Sequence, residues 1–273
     1  MCGRVVQAAD PTLYTRVVGG EPERPIPNSP PHYNGAPSQD FLVGRMDPKT
    51  GEKSLDLLRW GLIPSWAKDR KIAWKMINAR AETVATASAF KAAYGKKRRC
   101  LVPVDGFYEW RKMGAAKQPY AIGMADGEPF TLAGLWENWK DPDSGEWQRT
   151  FTIVTTEANE LVGKLHDRMP VVVAPADRDR WLTDDGPRDL LKPYAAEKMR
   201  MWPVSRDVNS PKNDRRDLLD PIPDLPWPEP GGDEVANANS PEADTKPANS
   251  VQLRISRVYC VKAESDQAGT LAS

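Results

Sequence analysis

A chain of 273 residues can bury a substantial core, in one large domain or two small ones. Its 38 basic and 38 acidic side chains cancel, which argues against a protein that coats nucleic acid non-specifically, and no apolar run is long enough to span a bilayer. Two histidines, His32 and His166, and three scattered cysteines, Cys2, Cys100 and Cys260, show no metal-ligand spacing, so neither a metal nor a cofactor is expected. The start Met-Cys-Gly-Arg-Val-Val-Gln lacks a signal-peptide pattern, and the expected location is the reducing cytoplasm. Residues 226–273 carry four of the 38 basic and seven of the 38 acidic side chains, which leaves the rest at 34 against 31. Any nucleic-acid site must therefore come from local clustering of charge.

In chain order, Asp10-Pro11 reads as an N-cap with a first-turn proline and Gly19-Gly20 as the stop of a short helix over 13–18. Prolines crowd residues 22–37 and predict an ordered or semi-ordered loop there, with no helix or central strand. Strands follow at 41–44 and 55–60, separated by a turn at 47–51. Gly61 and Pro64 break the second strand, and Asn78-Ala79-Arg80 lies on a further one. A short helix over 88–94 stops at Gly95, and the basic run 96–99 leads into an apolar strand at 100–104, which continues through Asp105 to Trp110. Segments 119–124 and 129–135 flank Asp126-Gly127 as a hairpin. A strand at 151–156, a helix over 157–165, a strand at 171–173, a helix from Ala174-Pro175 through Trp181 and a last strand at 201–204 complete the pattern. Strands dominate with hairpin-length connections. The fold class is α+β, a single domain over 2–225 on antiparallel and mixed sheets that form a barrel-like core with short peripheral helices. The polar segment 226–273 reads as a disordered tail.

Seven positions stand out for chemistry. Removal of Met1 would give Cys2 a free α-amine beside its thiol; the amine can condense with an aldehyde to an imine, and the thiol can then close a five-membered thiazolidine. Glu109, between Tyr108 and Trp110 on a strand, faces either solvent or a cleft, and in the cleft its pKa would rise to suit a general acid or base. His166, at a helix-to-strand junction beside Asp167 and Arg168, either shuttles protons or packs. Asn78 and Arg80 share a strand face and suit an acceptor-rich ligand, Arg80 clamping a phosphate and Asn78 orienting a polar atom. Arg4 has the same spacing from Cys2. Of the indoles around Pro64, Trp60 is expected in the core and Trp66 at the surface, where it could stack on an unpaired base.

Six spaced motifs, Met1-Cys2-Gly3-Arg4, Tyr33-Asn34-Gly35-Ala36-Pro37, Trp60-Gly61-Leu62-Ile63-Pro64-Ser65-Trp66-Ala67, Asn78-Ala79-Arg80-Ala81-Glu82-Thr83, Gly106-Phe107-Tyr108-Glu109-Trp110 and His166-Asp167-Arg168-Met169-Pro170, together resemble the SRAP (SOS-response-associated peptidase) family. They occur in family order over about residues 2–223, with Pro203-Val204-Ser205 and Val208-Asn209 near the end. The resemblance implies a protein of the DNA damage response that shields abasic sites in single-stranded DNA, or at a single-strand to duplex junction, through a thiazolidine between Cys2 and the ring-opened deoxyribose. It further implies that Glu109 assists ring opening and crosslink reversal, that His166 assists imine formation and that Asn78 orients the sugar or the Cys2 end. Arg4 and Arg80 would hold the flanking phosphates, with Asn34, Pro37 and Trp66 lining the DNA path. A monomer is implied, nucleoid-associated when on DNA. The nearly neutral core and the tail depart from the family pattern, and within the tail Gln252-Leu253-Arg254-Ile255 resembles a sliding-clamp-binding peptide.

Three rivals remain open on sequence. An N-terminal-nucleophile amidohydrolase would use the Cys2 thiolate on an amide with the α-amine as base; Arg4 and the lack of glutamine-binding motifs weigh against it. A peptidase would cleave repeatedly, whereas one turnover on Met1, autocatalytic or not, would satisfy the family name. A non-covalent DNA-binding module would leave Cys2 incidental and bind with salt sensitivity alone.

Overall fold

Asp10 caps the first helix, α1 (Pro11–Val18), by accepting the Thr12 N–H at 2.8 Å, and Gly19 closes it at φ 71 in the left-handed region. The computed structural model describes residues 2–20, 25–47, 49–114 and 116–223. These residues fall within one compact unit, Met1–Pro226. The tail expected over 226–273, Cys260 and the clamp-like peptide at 252–255 lie outside the described residues.

The strands in chain order are β1 (Val5–Gln7), β2 (His32–Gly35), β3 (Asp40–Met46), β4 (Lys53–Trp60), β5 (Asn78–Arg80), β6 (Arg99–Val104), β7 (Gly106–Met113), β8 (Ala116–Met124), β9 (Phe130–Lys140), β10 (Trp147–Glu157), β11 (Arg168–Pro170), β12 (Val172–Val173) and β13 (Met199–Pro203). Two short helices, α2 (Lys91–Gly95) and α3 (Arg178–Thr183), join α1 at the periphery. Strands β10, β4, β3, β6 and β9 pair in that order, and β9 pairs back onto β10 to close a five-stranded barrel. Only the β10–β4 contact in that ring is parallel. A second sheet runs β13-β8-β7-β1-β2. The expected α+β class with a barrel-like core and short helices is the one observed.

Period-two alternation divides the barrel side chains between two cores. Phe41 and Val43, Leu58 and Trp60, Cys100 and Val102, Leu132, and Phe151 and Ile153 face inward, in one cluster with Val5, Phe107 and Ile122 from the second sheet. Leu42, Leu101, Ala133 and Val154 face outward against α1, α2 and α3 through Tyr14, Val18, Ala93 and Trp181. Inside, Trp60 stacks on Phe151 at 6.2 Å and Phe41 meets Trp60 edge-on at 5.8 Å. Where β6, β9 and β10 converge, a Cβ on Gly134 would come within 2.8 Å of Cys100 Sγ and 3.0 Å of the Thr152 carbonyl, so only glycine lets the barrel close there.

Four expectations about elements need correction. The proline-rich stretch contains β2, which runs between Pro31 and Pro37 as the last strand of its sheet, the one place where flanking prolines cost no ladder bonds. The run from 100 to 110 is two strands in two sheets, broken at Asp105, whose carboxylate accepts the Ala8 and Ala9 N–H groups at 2.7 and 2.9 Å and the Tyr14 hydroxyl at 2.7 Å. Asp126-Gly127 crosses between sheets and is no hairpin, because β8 pairs with β7 and β13 while β9 pairs with β6, β10 and β12. The helix expected over 157–165 shrinks to a 3-10 turn, Val162–Lys164.

Candidate active site at the Cys2 end of the barrel

Alternation on β7 decides where Glu109 points. Phe107 belongs to the inner cluster and Tyr108 to the cluster on the far side of the sheet, so Glu109, two residues past Phe107, turns inward and is 3% exposed. Burial pushes its carboxyl up to about 7; the chain's N-terminal amine pulls the other way and the charge of Asp167 adds to the rise. A carboxyl balanced near neutrality can give or take a proton at working pH.

Cys2 is fully buried in the same cluster. Burial first, then the nearby Glu109, pushes its thiol well above the usual range, while the Arg4 backbone N–H bonded to it works in the opposite sense. Asn78 reaches the residue from β5, its Nδ2 donating to the Cys2 carbonyl at 2.7 Å. The β5 strand lies parallel to β10 with Asn78 opposite Ile153, which fixes the amide beside the inner cluster. Asn78 Oδ1 is buried with no hydrogen-bond partner among the described residues, an acceptor left open toward this space.

His166 sits where the chain turns from the 3-10 segment into β11. Its Nδ1 is claimed twice, by the Arg168 N–H at 2.9 Å and by Asp167 Oδ1 at 2.7 Å. The first contact needs a bare nitrogen and the second a protonated one. Burial, followed by the N-terminal amine, lowers the His166 pKa, and Asp167 is 85% exposed at its side chain. The lowered pKa favours the neutral ring, in which Nδ1 accepts from Arg168 and the proton is carried on Nε2. Arg168 in turn donates from Nη1 and Nη2 to the two oxygens of Glu82, at 2.6 and 2.9 Å, and from Nη2 to the Thr155 carbonyl at 2.7 Å. That bidentate fork ties the histidine's loop to the turn after β5, and the Thr155 bond ties it to the end of β10.

The Asn78 bond and the charge of Glu109 bring Cys2, Asn78 and Glu109 together, and His166 shares with Glu109 the influence of the N-terminal amine and of Asp167. The remaining sequence candidates are distributed differently. Arg80 is exposed at the end of β5 on the Asn78 face. Trp66, 56% exposed, and Trp74, 65% exposed, stand on the segment between β4 and β5, whereas Trp60 is 1% exposed in the core. Pro37 is half-buried in the turn after β2. Arg4 is half-buried and Asn34 fully buried, and both are engaged within the protein: Arg4 Nη1 donates to Asn34 Oδ1 at 2.6 Å and to the Val208 carbonyl at 2.9 Å. Asn34 Nδ2 donates to the carbonyls of Val208, Ser210 and Asn213 at 3.2, 3.1 and 2.8 Å. Their visible work is to hold the 208–213 loop on the outer face of the second sheet. Sequence reading missed the Glu82–Arg168 anchor. Both residues lie inside quoted motifs, but nothing in a separation of 86 residues pairs them.

A buried cysteine at position 2, a carboxyl poised near neutrality, a histidine with a lowered pKa and an amide oxygen without a partner among the described residues mark a candidate reactive site on a small barrel. The model of the SOS response associated peptidase (SRAP) family matches residues 1–211, and the chain belongs to that family. It is 44% identical over 196 residues to the abasic site processing protein YoqW of Bacillus subtilis, an alignment covering 70% of this chain and 86% of that one. It is 31% identical over 234 residues to YedK of Escherichia coli, also described as an abasic site processing protein, covering 81% of this chain and all of the relative. A crystal structure of a protein from Bacteroides thetaiotaomicron superposes with a TM-score of 0.72 at 26% identity, over 81% of this chain and all of that one.

Proposed function

We propose that this protein, once Met1 is removed, crosslinks to abasic sites in single-stranded DNA or at single-strand to duplex junctions through Cys2. The observation that carries the reading is the burial of Cys2 against Glu109, whose carboxyl is pushed up to about 7. The names of its relatives as abasic site processing proteins support the same substrate.

In the proposed sequence, protonated Glu109 donates to the ring oxygen of the deoxyribose hemiacetal as the C1′–O4′ bond breaks, and water takes the proton of the C1′ hydroxyl, which becomes the aldehyde. The Cys2 α-amine adds to that aldehyde, and His166, donating from Nε2, helps expel water to leave an imine. The S–H of Cys2 then adds across the C=N bond, sulfur to carbon and proton to nitrogen, closing the thiazolidine. A thiol held protonated by burial suits this order, with the amine attacking first. It argues against an amidohydrolase that would need a thiolate at the outset. Asn78 holds the Cys2 carbonyl and offers Oδ1 to a sugar hydroxyl. Arg80 clamps a phosphate, Arg4 adds positive charge from within the fold, and Trp66 and Pro37 border the strand, with Asn34 acting through Arg4.

Residues 2–225 form the crosslinking domain in this reading, working in the cytoplasm and on the nucleoid as a monomer. Removal of Met1, by an aminopeptidase or by the chain itself, is the prerequisite, and sustained peptidase turnover is not required. Incubating the matured protein with abasic single-stranded DNA tests the proposal: a denaturation-resistant adduct is expected, absent from Cys2→Ala. Equal adduct from both proteins overturns it. Intact mass establishes beforehand whether Met1 has left.

A further inference from the structure

The inward-facing series of the five barrel strands fills the core and then, at the N-terminal end of β10, turns to charged side chains around one indole. Arg45 follows Phe41 and Val43, Asp56 precedes Leu58 and Trp60, Arg98 precedes Cys100 and Val102, Trp136 follows Leu132, and Arg149 precedes Phe151. These side chains line an open cleft of about 760 Å³ that shares no residue with the Cys2 site. Asn78 pairs with Ile153, four residues farther along β10 than Arg149, or roughly 13 Å at the rise of a strand. The cleft is thus the other mouth of the barrel.

Six lysines and arginines line this mouth against two carboxylates, Asp47 and Asp56. One cation, Arg99, is spent on the carbonyls of Trp181, Tyr94 and Asp184. The others stay in the opening. Arg45 lies over the Trp136 ring at 4.4 Å and pairs with Asp56 at 2.7 Å. Arg98 approaches the same ring at 5.7 Å and is held by Glu137. Arg149, 52% exposed, is 3.8 Å from Asp56; at the rim Lys96 is exposed, and Lys97 is exposed and paired with Asp185 at 2.7 Å. Two residues before Arg149 on the same strand face, Trp147 presents an indole that is 68% exposed. Carboxylates that pin guanidinium groups without neutralising the opening, with a bare indole beside them, make a surface for phosphates and a stacked base.

We propose that this mouth is a second nucleic-acid site, taking backbone phosphates of a single strand on Arg98, Arg149, Lys96 and Lys97 and a base on Trp147. It does not depend on the chemistry proposed for Cys2. The test uses the full matured chain and fluorescent undamaged oligothymidylate, titrated at several salt concentrations, with thymidine monophosphate as a parallel ligand. Lys96→Ala/Arg149→Ala should bind the oligonucleotide about tenfold more weakly and flatten the log K against log salt slope by about 1.4. Trp147→Ala should weaken binding about five- to a hundredfold with the slope unchanged. Crosslinking of a short abasic oligonucleotide, which reports on the other end, should persist in both, and matching melting curves certify the fold of these surface variants. Unchanged affinity and slope overturn the proposal. So does an effect on thymidine monophosphate alone, which would make the mouth a free-nucleotide site, or a parallel loss of short-substrate crosslinking, which would merge it with the Cys2 path.

Discussion

The two ends of the barrel are built from the same alternation and put to opposite use. At the Cys2 end Glu109 and Cys2 are buried and His166 partly so, which pushes the carboxyl and the thiol toward their neutral forms and lowers the pKa of the histidine. At the Arg149 end the charges are many, mutually paired and open to water. Desolvation tunes acid and base strength, whereas an anion is attracted only by charge that remains charged. One closed sheet provides both environments because its inner face is apolar in the middle and insulates one mouth from the other.

The sharpest way to break this contrast is Glu109→Gln. Loss of the poised carboxyl should slow adduct formation by about 10²–10⁴ and remove an inflection near pH 7 from the rate profile, read from initial rates of adduct on denaturing gels. The same variant reports the cost of burial. The folded carboxyl is protonated more readily than the unfolded one, at about 7 against 4.5, so the folded chain binds more protons between those values and stability falls as pH rises through that window. At pH 8 the variant should be more stable than wild type, by up to ~3 kcal/mol, and near pH 4 equal to it, as urea titrations will show.

Phe151→Ala strikes the apolar middle that both ends share. The fully buried ring stacks on Trp60, and its loss should cost about 3–5 kcal/mol in urea unfolding and weaken crosslinking and undamaged-strand binding alike. Asn78→Ala affects one end only. Without the bond to the Cys2 carbonyl, adduct formation should fall about tenfold, as a loss of about 1–1.5 kcal/mol, with oligothymidylate affinity at the far mouth unchanged. The smallest effect belongs to Arg168→Lys, which keeps the charge and loses the fork onto Glu82. It should lower stability by ~0.5–1 kcal/mol and slow imine trapping by borohydride a few-fold, through a looser His166.

Much of the site was legible from residue type. Cys2, Glu109, His166 and Asn78 were each singled out because their chemistry is specific, and the motifs around them place the chain in its family. The side on which Glu109 faces was not legible, because a strand with Tyr108 and Trp110 on either side of it is amphiphilic both ways until the second sheet is laid against the barrel. Asn34 and Arg4 read as ligand contacts since they are polar and lie in motifs, yet their bonds run to the 208–213 loop, a partner some 170 to 200 residues away. The break at Asp105 and the crossing at Asp126-Gly127 escaped for the same reason: local turn chemistry marks where a chain bends, not which strand it meets next.

By itself the sequence determined the α+β class, the first helix with its caps, the core place of Trp60 and the exposure of Trp66, all of which follow from nearest-neighbour chemistry and period-two patterning. Only the tertiary structure decided that the barrel closes through β9 and β10, that Glu109 lies buried beside Cys2, and that Arg45, Arg98, Arg149 and Trp136 converge on the opposite mouth. Those outcomes depend on strand register across long separations, where one residue of slip would exchange the inner face for the outer, and no local rule carries that information.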